Sequence, residues 1–349
     1  MKRYAILLFP SANRVYADDA PRLLAAELDI VNNAVLDGKI KKITQTDIAG
    51  VRYLLFEAAE FTTEDVAFIA NLSSIYALFD IESNIPDEYL LRPIALRSID
   101  VFPSDLLTIP KYQGKTNEQF TKLLFNVTTM ALAEPSKLVN GKLRVLDPLC
   151  GRGTTLNQAL AYGCDGYGIE IRKRDFDEYE KFIKTYLRNN RYKHSAQVSN
   201  IRRNKALIGR RLDITLGVTK EKYKAGDVIQ LGFVNADTTT ASEYFRAGFF
   251  DMIVTDVPYG IQHGSTSSTG GLARDPMRLL GDALPGWHRL LRTGGAIGIS
   301  WNTFVADRTR LAALLTEHGF AVLDSPAHRD FEHRVDAAIR RDLIVARKS

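Results

Sequence analysis

Three carboxylates end three successive apolar runs of the chain. Asp147 closes the first run, Glu170 closes the second, and Asp237 follows the third. Because the carboxyl ends of parallel strands meet at one edge of a sheet, we expect these side chains to line one ligand site. Acids there can bind an ammonium group, the two hydroxyls of a ribose and the amino group of adenine. These three groups together describe S-adenosylmethionine, which we predict as the cofactor.

A turn with two glycines, DPLCGRGTT (147–155), follows the first of these strands. Gly151 and Gly153 let the backbone approach a ligand closely. Thr154 and Thr155 begin the next helix, whose free N–H groups can meet the carboxylate of the cofactor. The alternative, a dinucleotide oxidoreductase, would carry a three-glycine fingerprint that this turn lacks.

The stretch TDVPYG (255–260) ends a further apolar run. Asp256 and the carbonyl of Val257 can accept hydrogen bonds from an exocyclic amine and so hold its nitrogen in place for methyl transfer. Pro258 fixes the backbone, and Tyr259 offers a ring on which a flipped base can stack. The alternative is a plain type I turn with the proline at its corner. The position after three acid-ended runs favours a catalytic role.

Charge is unevenly distributed along the chain. The net charge is +5, yet residues 171–225 alone contain 16 Lys/Arg and 6 Asp/Glu. A localised basic segment indicates contact with a polyanion, and the alternative is a solvated, charged insertion. We therefore name Arg172, Lys173, Arg174 and the nearby His263 as candidate substrate contacts.

The predicted helices and strands that position these residues fall into two different patterns along the chain. Residues 1–80 alternate strands (3–9, 51–57, 74–79) with helices, one of them over 20–33 with Pro21 at its start, and this predicts a small ferredoxin-like α+β domain. Several prolines interrupt residues 81–110, and this segment is therefore predicted to be a linker. Residues 111–349 alternate helices and strands around the basic insertion 171–225, which predicts a doubly wound α/β sheet.

At this point several segments resemble a known family. DPLCGRGTT, GIE (168–170), NAD (235–237), TDVPYG and KYQGKTNEQF (111–120) are similar to motifs of class I amino-methyltransferases, in particular the THUMP-associated tRNA guanine-N2 methyltransferases. Leu149 and Arg152 depart from the family's first motif. Val257 is close to the Asp-Leu-Pro-Phe/Tyr form of its catalytic tetrad.

The resemblance implies a Rossmann-like sheet whose last strand, within HRVDAAIRRDLIVARK (333–348), inserts antiparallel. It also places the stretch 112–117 around the methionine end of the cofactor. With the residues above, the predicted cofactor contacts are Tyr112, Gln113, Thr116, Asn117, Asp147, Leu149, Gly151, Gly153, Thr154, Thr155, Glu170, Ile171, Ala236, Asp237 and Asp256. The expected substrate is guanine N2 in tRNA, and a small activating subunit is a further partner to consider.

Composition narrows the class of protein. The two cysteines exclude a disulfide framework and a cysteine-rich zinc site, so we expect a reducing cytoplasm and no metal. No apolar run approaches the length that spans a bilayer. The remaining alternatives are a DNA N6-adenine or N4-cytosine methyltransferase, a small-molecule methyltransferase and a non-catalytic S-adenosylmethionine-binding protein.

Overall fold

The computed structural model describes residues 1–11, 13–82, 89–112, 114–203, 205–258 and 276–349, which form two sheets. The first sheet is antiparallel, in the order β2-β3-β1-β4-β5. Its elements are β1 (Lys2–Leu8), α1 (Arg14–Val35), β2 (Lys41–Ile48), β3 (Val51–Ala58), α2 (Thr63–Ile69), β4 (Ile75–Ile81) and β5 (Leu91–Ile94). Strands β1 to β4 with the two helices give the predicted ferredoxin-like arrangement.

Helix α1 begins earlier than its apolar pattern predicts. Asn13 caps it by accepting a hydrogen bond from the Tyr16 N–H at 3.2 Å, and Pro21 lies inside the helix instead of at its start. A proline leaves the carbonyl four residues earlier without its helical partner. Here that carbonyl belongs to Ala17, and the Arg52 guanidinium donates a hydrogen bond to it at 3.4 Å. This contact helps the helix to continue through the proline.

The predicted linker 81–110 is wrong in part. Strand β5 pairs antiparallel with β4 and so extends the first sheet. Helix α3 (Asp105–Thr108) lies against the second unit, where the Asn157 side chain donates to the carbonyl of Leu106 at 3.2 Å. Pro93 is compatible with strand β5 because an edge strand tolerates a missing N–H. We propose that the boundary between the two units follows Ile94.

The second sheet follows the order β13 (Phe320–Val322), β15 (Arg340–Lys348), β12, β11, β6, β7, β10, β9 (Ala206–Leu216) and β8 (His194–Arg203). Its parallel strands are β6 (Arg144–Asp147), β7 (Asp165–Glu170), β10 (Ile229–Asn235), β11 (Phe250–Asp256) and β12 (Leu291–Asn302), and helices α4 (Glu118–Met130), α5 (Lys137–Asn140), α6 (Thr154–Ala161) and α9 (Pro276–Leu290) accompany them. The strand order reverses between β6 and β11. Open α/β sheets bind their ligands at such a reversal, outside the carboxyl ends of the strands.

The end of the chain confirms the antiparallel closing strand. After α10 (Arg308–Glu317), which Asp307 caps, come β13 (Phe320–Val322), β14 (His333–Arg334) and β15 (Arg340–Lys348). Strand β15 inserts between β12 and β13 and runs antiparallel to both. This arrangement brings residues near 341 beside the carboxyl end of β12. The Rossmann-like fold is therefore confirmed.

The basic segment 171–225 is part of the sheet and not an insertion outside it. It contains α7 (Lys173–Asn189), the hairpin strands β8 (His194–Arg203) and β9 (Ala206–Leu216), and α8 (Lys220–Lys224). Strand β9 pairs antiparallel with β10 and carries β8 at the edge of the sheet. The segment looked like an insertion because an exposed edge hairpin shows few apolar positions.

A buried polar cluster joins the two units. Glu27 of α1 is fully buried, and its carboxylate accepts hydrogen bonds from the Ser73 N–H at 2.9 Å and from the Asn126 side chain of α4 at 2.7 Å. Burial raises the pKa of Glu27 to about 7. Since α4 begins beside the carboxyl ends of the central strands, the cluster links the first unit to the ligand edge. Among the described residues, no helix combines the length and the apolar character that crossing a membrane requires.

Candidate functional site

A cavity of about 340 Å³ opens at the carboxyl ends of β6 and β11. This is the position at which the strand order reverses. The predicted residues that line it are Tyr112, Thr116, Asp147, Leu149, Gly151, Thr154, Thr155, Arg172, Asp256, Val257 and Pro258. Its other walls, which the sequence did not single out as site residues, are Gly114, Phe120, Thr121, Leu124, Cys150, Arg152 and Asp175.

Asp147 is a buried acid at the base of this cavity. Its side chain accepts hydrogen bonds from the Thr255 hydroxyl at 2.8 Å and from the Leu149 N–H at 3.2 Å. The residue is only 3% exposed, and burial raises the pKa of its carboxyl to about 7. A buried carboxylate of this kind gains most from a cationic partner, since its charge is poorly solvated. The site therefore suits a ligand with an ammonium group.

The glycine turn is held close to neighbouring helices. Gly153 precedes α6 with φ of 78°, and a Cβ added there would lie 2.4 Å from the ring of Tyr179. The hydroxyls of Tyr112 and Thr154 lie 2.9 Å apart in a hydrogen bond. The Arg152 guanidinium lies 5.0 Å from the centre of the Tyr112 ring. The turn is thus compact, and the side chain of Tyr112 lies against it at the start of α6.

Glu170 ties the end of β7 to this turn. One carboxylate oxygen accepts the Gly151 N–H at 2.9 Å, and the other accepts the Arg172 N–H at 2.6 Å. Burial raises the pKa of the Glu170 carboxyl. The residue lies in register with Asn235 of β10, so the ends of β7 and β10 are adjacent.

Several predicted cofactor contacts lie outside the cavity lining. Asn117 caps α4 by accepting the Gln119 N–H at 2.8 Å, and Asp237 caps a short 3₁₀ helix by accepting the Thr239 N–H at 3.0 Å. Ile171 is exposed at the end of β7. The residues of the predicted set that do not line the cavity are Asn117, Gly153, Glu170, Ile171, Ala236 and Asp237.

Asp256 is fixed from two sides at the mouth of the cavity. The Thr116 hydroxyl donates to its Oδ2 at 2.7 Å, and the Ser300 hydroxyl donates to its Oδ1 at 2.8 Å. The Val257 N–H donates to the carbonyl of Ser300 at 2.8 Å. These bonds tie the Asp-Val-Pro turn to β12, while Pro258 is exposed to solvent. The arrangement gives a carboxylate of defined orientation beside an accessible turn.

Arg341 supplies a buried positive charge behind this carboxylate. It comes from β15, is 4% exposed, and its guanidinium lies 3.9 Å from Oδ2 of Asp256. The same guanidinium lies 4.5 Å from the centre of the Phe120 ring. His333 packs against that ring as well, and burial lowers the pKa of its imidazole to about 4. Sequence reasoning missed Ser300 and Arg341, because neither belongs to a local motif.

The candidate substrate contacts lie at the start of α7. Arg172 lines the cavity, and Lys173 and Arg174 are exposed beside it. Three predicted residues, Gln113, Tyr259 and His263, lie outside the described residues. Within the described part of the chain, no cluster of His, Cys, Asp or Glu is suited to hold a metal ion.

Comparison with known proteins agrees with this geometry. Residues 130–295 match the sequence model of the family UPF0020, described as an RMKL-like methyltransferase domain. This match shows that residues 130–295 form a methyltransferase domain of the expected class, whose cofactor is S-adenosylmethionine. No curated protein matches the chain.

The solved structures that match the chain in a structural search share little sequence with it. TrmN from Thermus thermophilus is 13% identical over 100% of both chains, with a TM-score of 0.43. A TehB-like SAM-dependent methyltransferase from Corynebacterium glutamicum is 15% identical over 59% of this chain and 80% of its own, with a TM-score of 0.34. The 1,6-didemethyltoxoflavin-N1-methyltransferase of Burkholderia thailandensis is 16% identical over 60% of this chain and 72% of its own, with a TM-score of 0.34.

Proposed function

We propose that the protein methylates an exocyclic amine of a nucleobase, and that the substrate is guanine N2 in tRNA. The observation that carries the proposal is Asp256, which Thr116 and Ser300 hold at the mouth of the cavity. An aromatic amine is a weak nucleophile because its lone pair is delocalised into the ring. A fixed acceptor for its N–H groups favours the tetrahedral nitrogen that develops as the methyl group is transferred.

The residues around the cavity fit S-adenosylmethionine. Asp147 would bind the ammonium group, because its buried carboxylate lacks a strong cationic partner among the contacts described above. The backbone of the glycine turn and the start of α6 would bind the carboxylate of the cofactor. Glu170 would exchange its hydrogen bonds with backbone N–H groups for the ribose hydroxyls. When bound, the cofactor supplies a methyl group on a positively charged sulfur.

The acceptor side is formed by the Asp-Val-Pro turn. Asp256 and the carbonyl of Val257 would accept the two N–H groups of the amine, and Pro258 limits how far that carbonyl can rotate. The proton released from nitrogen passes to Asp256 or to water. Tyr259 would stack on the flipped base. Arg341, whose guanidinium lies 3.9 Å from Oδ2 of Asp256, would help to orient the carboxylate while the amine binds.

Two features favour tRNA as the substrate. Arg172, Lys173 and Arg174 present exposed positive charge next to the cavity, which suits a phosphate backbone. The ferredoxin-like unit packs directly on α4, whose start contributes Phe120 to the cavity wall, and so provides a second surface for a large substrate. We also propose a cytoplasmic location, which agrees with the free, buried thiols of Cys150 and Cys164.

The test is methyl transfer from radiolabelled S-adenosylmethionine to total tRNA, ribosomal RNA and genomic DNA, followed by mass spectrometry of the nucleosides. We expect label in tRNA as N2-methylguanosine. Label that appears only in DNA would transfer the proposal to an adenine N6 or cytosine N4 substrate. Label in none of the three would refute a nucleic-acid substrate.

Asp256→Asn tests the catalytic assignment directly. We expect kcat to fall by at least about 100-fold, the usual effect of losing one preorganised electrostatic group, while the Kd for S-adenosylmethionine stays within about threefold. Asp47→Asn, at an exposed position of β2, is the matched control and should leave both constants unchanged. Equal turnover by the Asp256→Asn variant and the wild type would contradict the assignment.

A further inference from the structure

The hairpin β8–β9 extends beyond the sheet on the side of the cofactor cavity. Strands β8 and β9 pair from His194↔Leu216 to Arg203↔Ala206, but β9 pairs with β10 only from Leu216 to Arg210. Arg210 lies opposite Asn235, the last residue of β10. Residues 201–203 and 205–209, which we call the arm, therefore continue past the carboxyl ends of the parallel strands.

The dimensions of the arm follow from strand geometry. Four residues of β9 precede Arg210, and at about 3.3 Å per residue they carry the arm roughly 13 Å past the edge. In the strand order, β8 stands five positions from β11. At about 4.8 Å per strand, the arm lies roughly 24 Å from the Asp256 end of β11 along the sheet. A duplex of about seven base pairs would cover that distance.

The charges of the arm are not used inside the protein. Arg202 and Lys205 are exposed, and within the described residues neither forms an ion pair; Arg202 donates only to the carbonyl of Lys205, at 3.2 Å. At the base of the arm the arginines are neutralised, since Arg210 pairs with Asp177 and Glu180 and Arg211 pairs with Asp213. Residues 181–212 contain ten Lys/Arg and no Asp/Glu. The arm thus presents positive charge, with Leu207 58% exposed beside it.

A second basic cluster lies at the opposite end of the same strands. It consists of exposed lysines and arginines that flank the start of β8 and the end of β9, where His194 lies opposite Leu216. Its exposed members are Arg191, Lys193, Lys220, Lys222 and Lys224. Strand β9 places about 30 Å between this cluster and the arm. The sheet therefore divides one basic segment of the sequence into two surfaces, and only one of them is on the side of the cavity.

We propose that the arm binds the phosphate backbone of the nucleic-acid substrate on the flank of the target base, and that the opposite cluster takes no part. The inference rests on the proposed function, since it requires a nucleic-acid substrate. Arg202 and Lys205 would contact phosphates, and Leu207 would lie against sugars. The arm would then set which neighbouring helix of the substrate reaches the site, while the cavity selects the base.

The experiment compares two double charge reversals that change the net charge equally. Arg202→Glu/Lys205→Glu alters the arm, and Lys193→Glu/Lys220→Glu alters the opposite cluster. Binding of tRNA to the full chain is measured by fluorescence anisotropy from 50 to 300 mM salt, together with kcat and KM for methyl transfer. The Kd for S-adenosylmethionine reports that the cofactor site of each variant is folded.

We expect the arm variant to lose two phosphate contacts, which reduces the slope of log Kobs against log salt by about 1.5–2. Its KM for tRNA should rise at least about tenfold while kcat changes less than about twofold, and the opposite-cluster variant should retain the wild-type slope. If the two variants change the salt slope and the KM equally, or if neither changes the slope while the wild type is active, the proposed role of the arm is refuted. The proposed function would then remain intact. A wild type that neither binds nor methylates nucleic acid would overturn both proposals.

Discussion

Replacing the buried acid Asp147 should raise the stability of the protein without cofactor but weaken its binding of the cofactor. Burial raises the pKa of its carboxyl from 3.8 to about 7, so the folded protein without cofactor holds the proton more tightly than the unfolded chain does. This group therefore stabilises the fold fully below pH ~4, and the contribution is lost as pH rises through ~7. Each pKa unit is worth about 1.4 kcal/mol, so the ionised carboxylate costs about 4 kcal/mol above pH 7.

Asp147→Asn removes that charge and can keep an acceptor for the Thr255 hydroxyl. We expect the variant to exceed the wild type in unfolding free energy by about 4 kcal/mol at pH 8, and by only about 2 kcal/mol at pH 5. Urea unfolding of both proteins without cofactor at the two pH values measures this difference. A gap of the same size at both values, or a less stable variant at pH 8, would refute the reasoning.

The same substitution should weaken cofactor binding. Removing one partner of a buried, hydrogen-bonded charge pair costs about 2–5 kcal/mol, so the Kd for S-adenosylmethionine should rise at least about 30-fold at pH 8. In the wild type, binding below pH ~7 first requires loss of the proton from Asp147, and the affinity should fall up to about tenfold for each further pH unit. The variant should lack this pH dependence. Isothermal titration from pH 5.5 to 8 checks both statements.

Two further substitutions test the geometry of the site. Gly153→Ala should lower the unfolding free energy by about 2 kcal/mol or more, because its Cβ would meet the Tyr179 ring at 2.4 Å. The control is Gly226→Ala, since Gly226 has a similar φ of 79° but no neighbour within 4 Å. An equal loss of stability in both variants would show that the clash with Tyr179 is irrelevant. Ser300→Ala removes one of the two hydroxyl donors to Asp256 and should lower kcat about 5- to 30-fold at an unchanged cofactor Kd; an unchanged kcat in steady-state assays would contradict the positioning role.

The strand ends could be predicted because parallel strands buried on both faces leave nearly continuous apolar runs. Strand β6 ends at Asp147, β7 ends at Glu170 and β10 ends two residues before Asp237. The ends of the apolar runs therefore located the edge at which the cavity lies. The two strands of the arm were not predicted, since an edge hairpin has few buried positions and its charges dominate the pattern.

The partners of the proposed catalytic acid could not be predicted for a topological reason. Ser300 lies opposite Asp256 in the pairing of β11 with β12, and Arg341 lies on β15, which inserts beside β12. These residues are 44 and 85 positions away in the chain. No spacing rule connects them to the Asp-Val-Pro turn. Only the register of three strands brings a hydroxyl and a guanidinium to the same carboxylate.

The first unit is connected to the proposed catalytic acid Asp256 through a series of contacts along helix α4. Thr116, which donates to Asp256, immediately precedes the Asn117 cap of α4, and Phe120 in the first turn carries the Arg341 guanidinium on its ring. Two turns later, Asn126 of the same helix donates to the buried Glu27 of α1. A displacement of α1 would therefore be transmitted through one rigid helix to Thr116 and Arg341, two of the three partners of Asp256 described above. The ferredoxin-like unit thus supports the orientation of the proposed catalytic acid as well as offering a surface to the substrate.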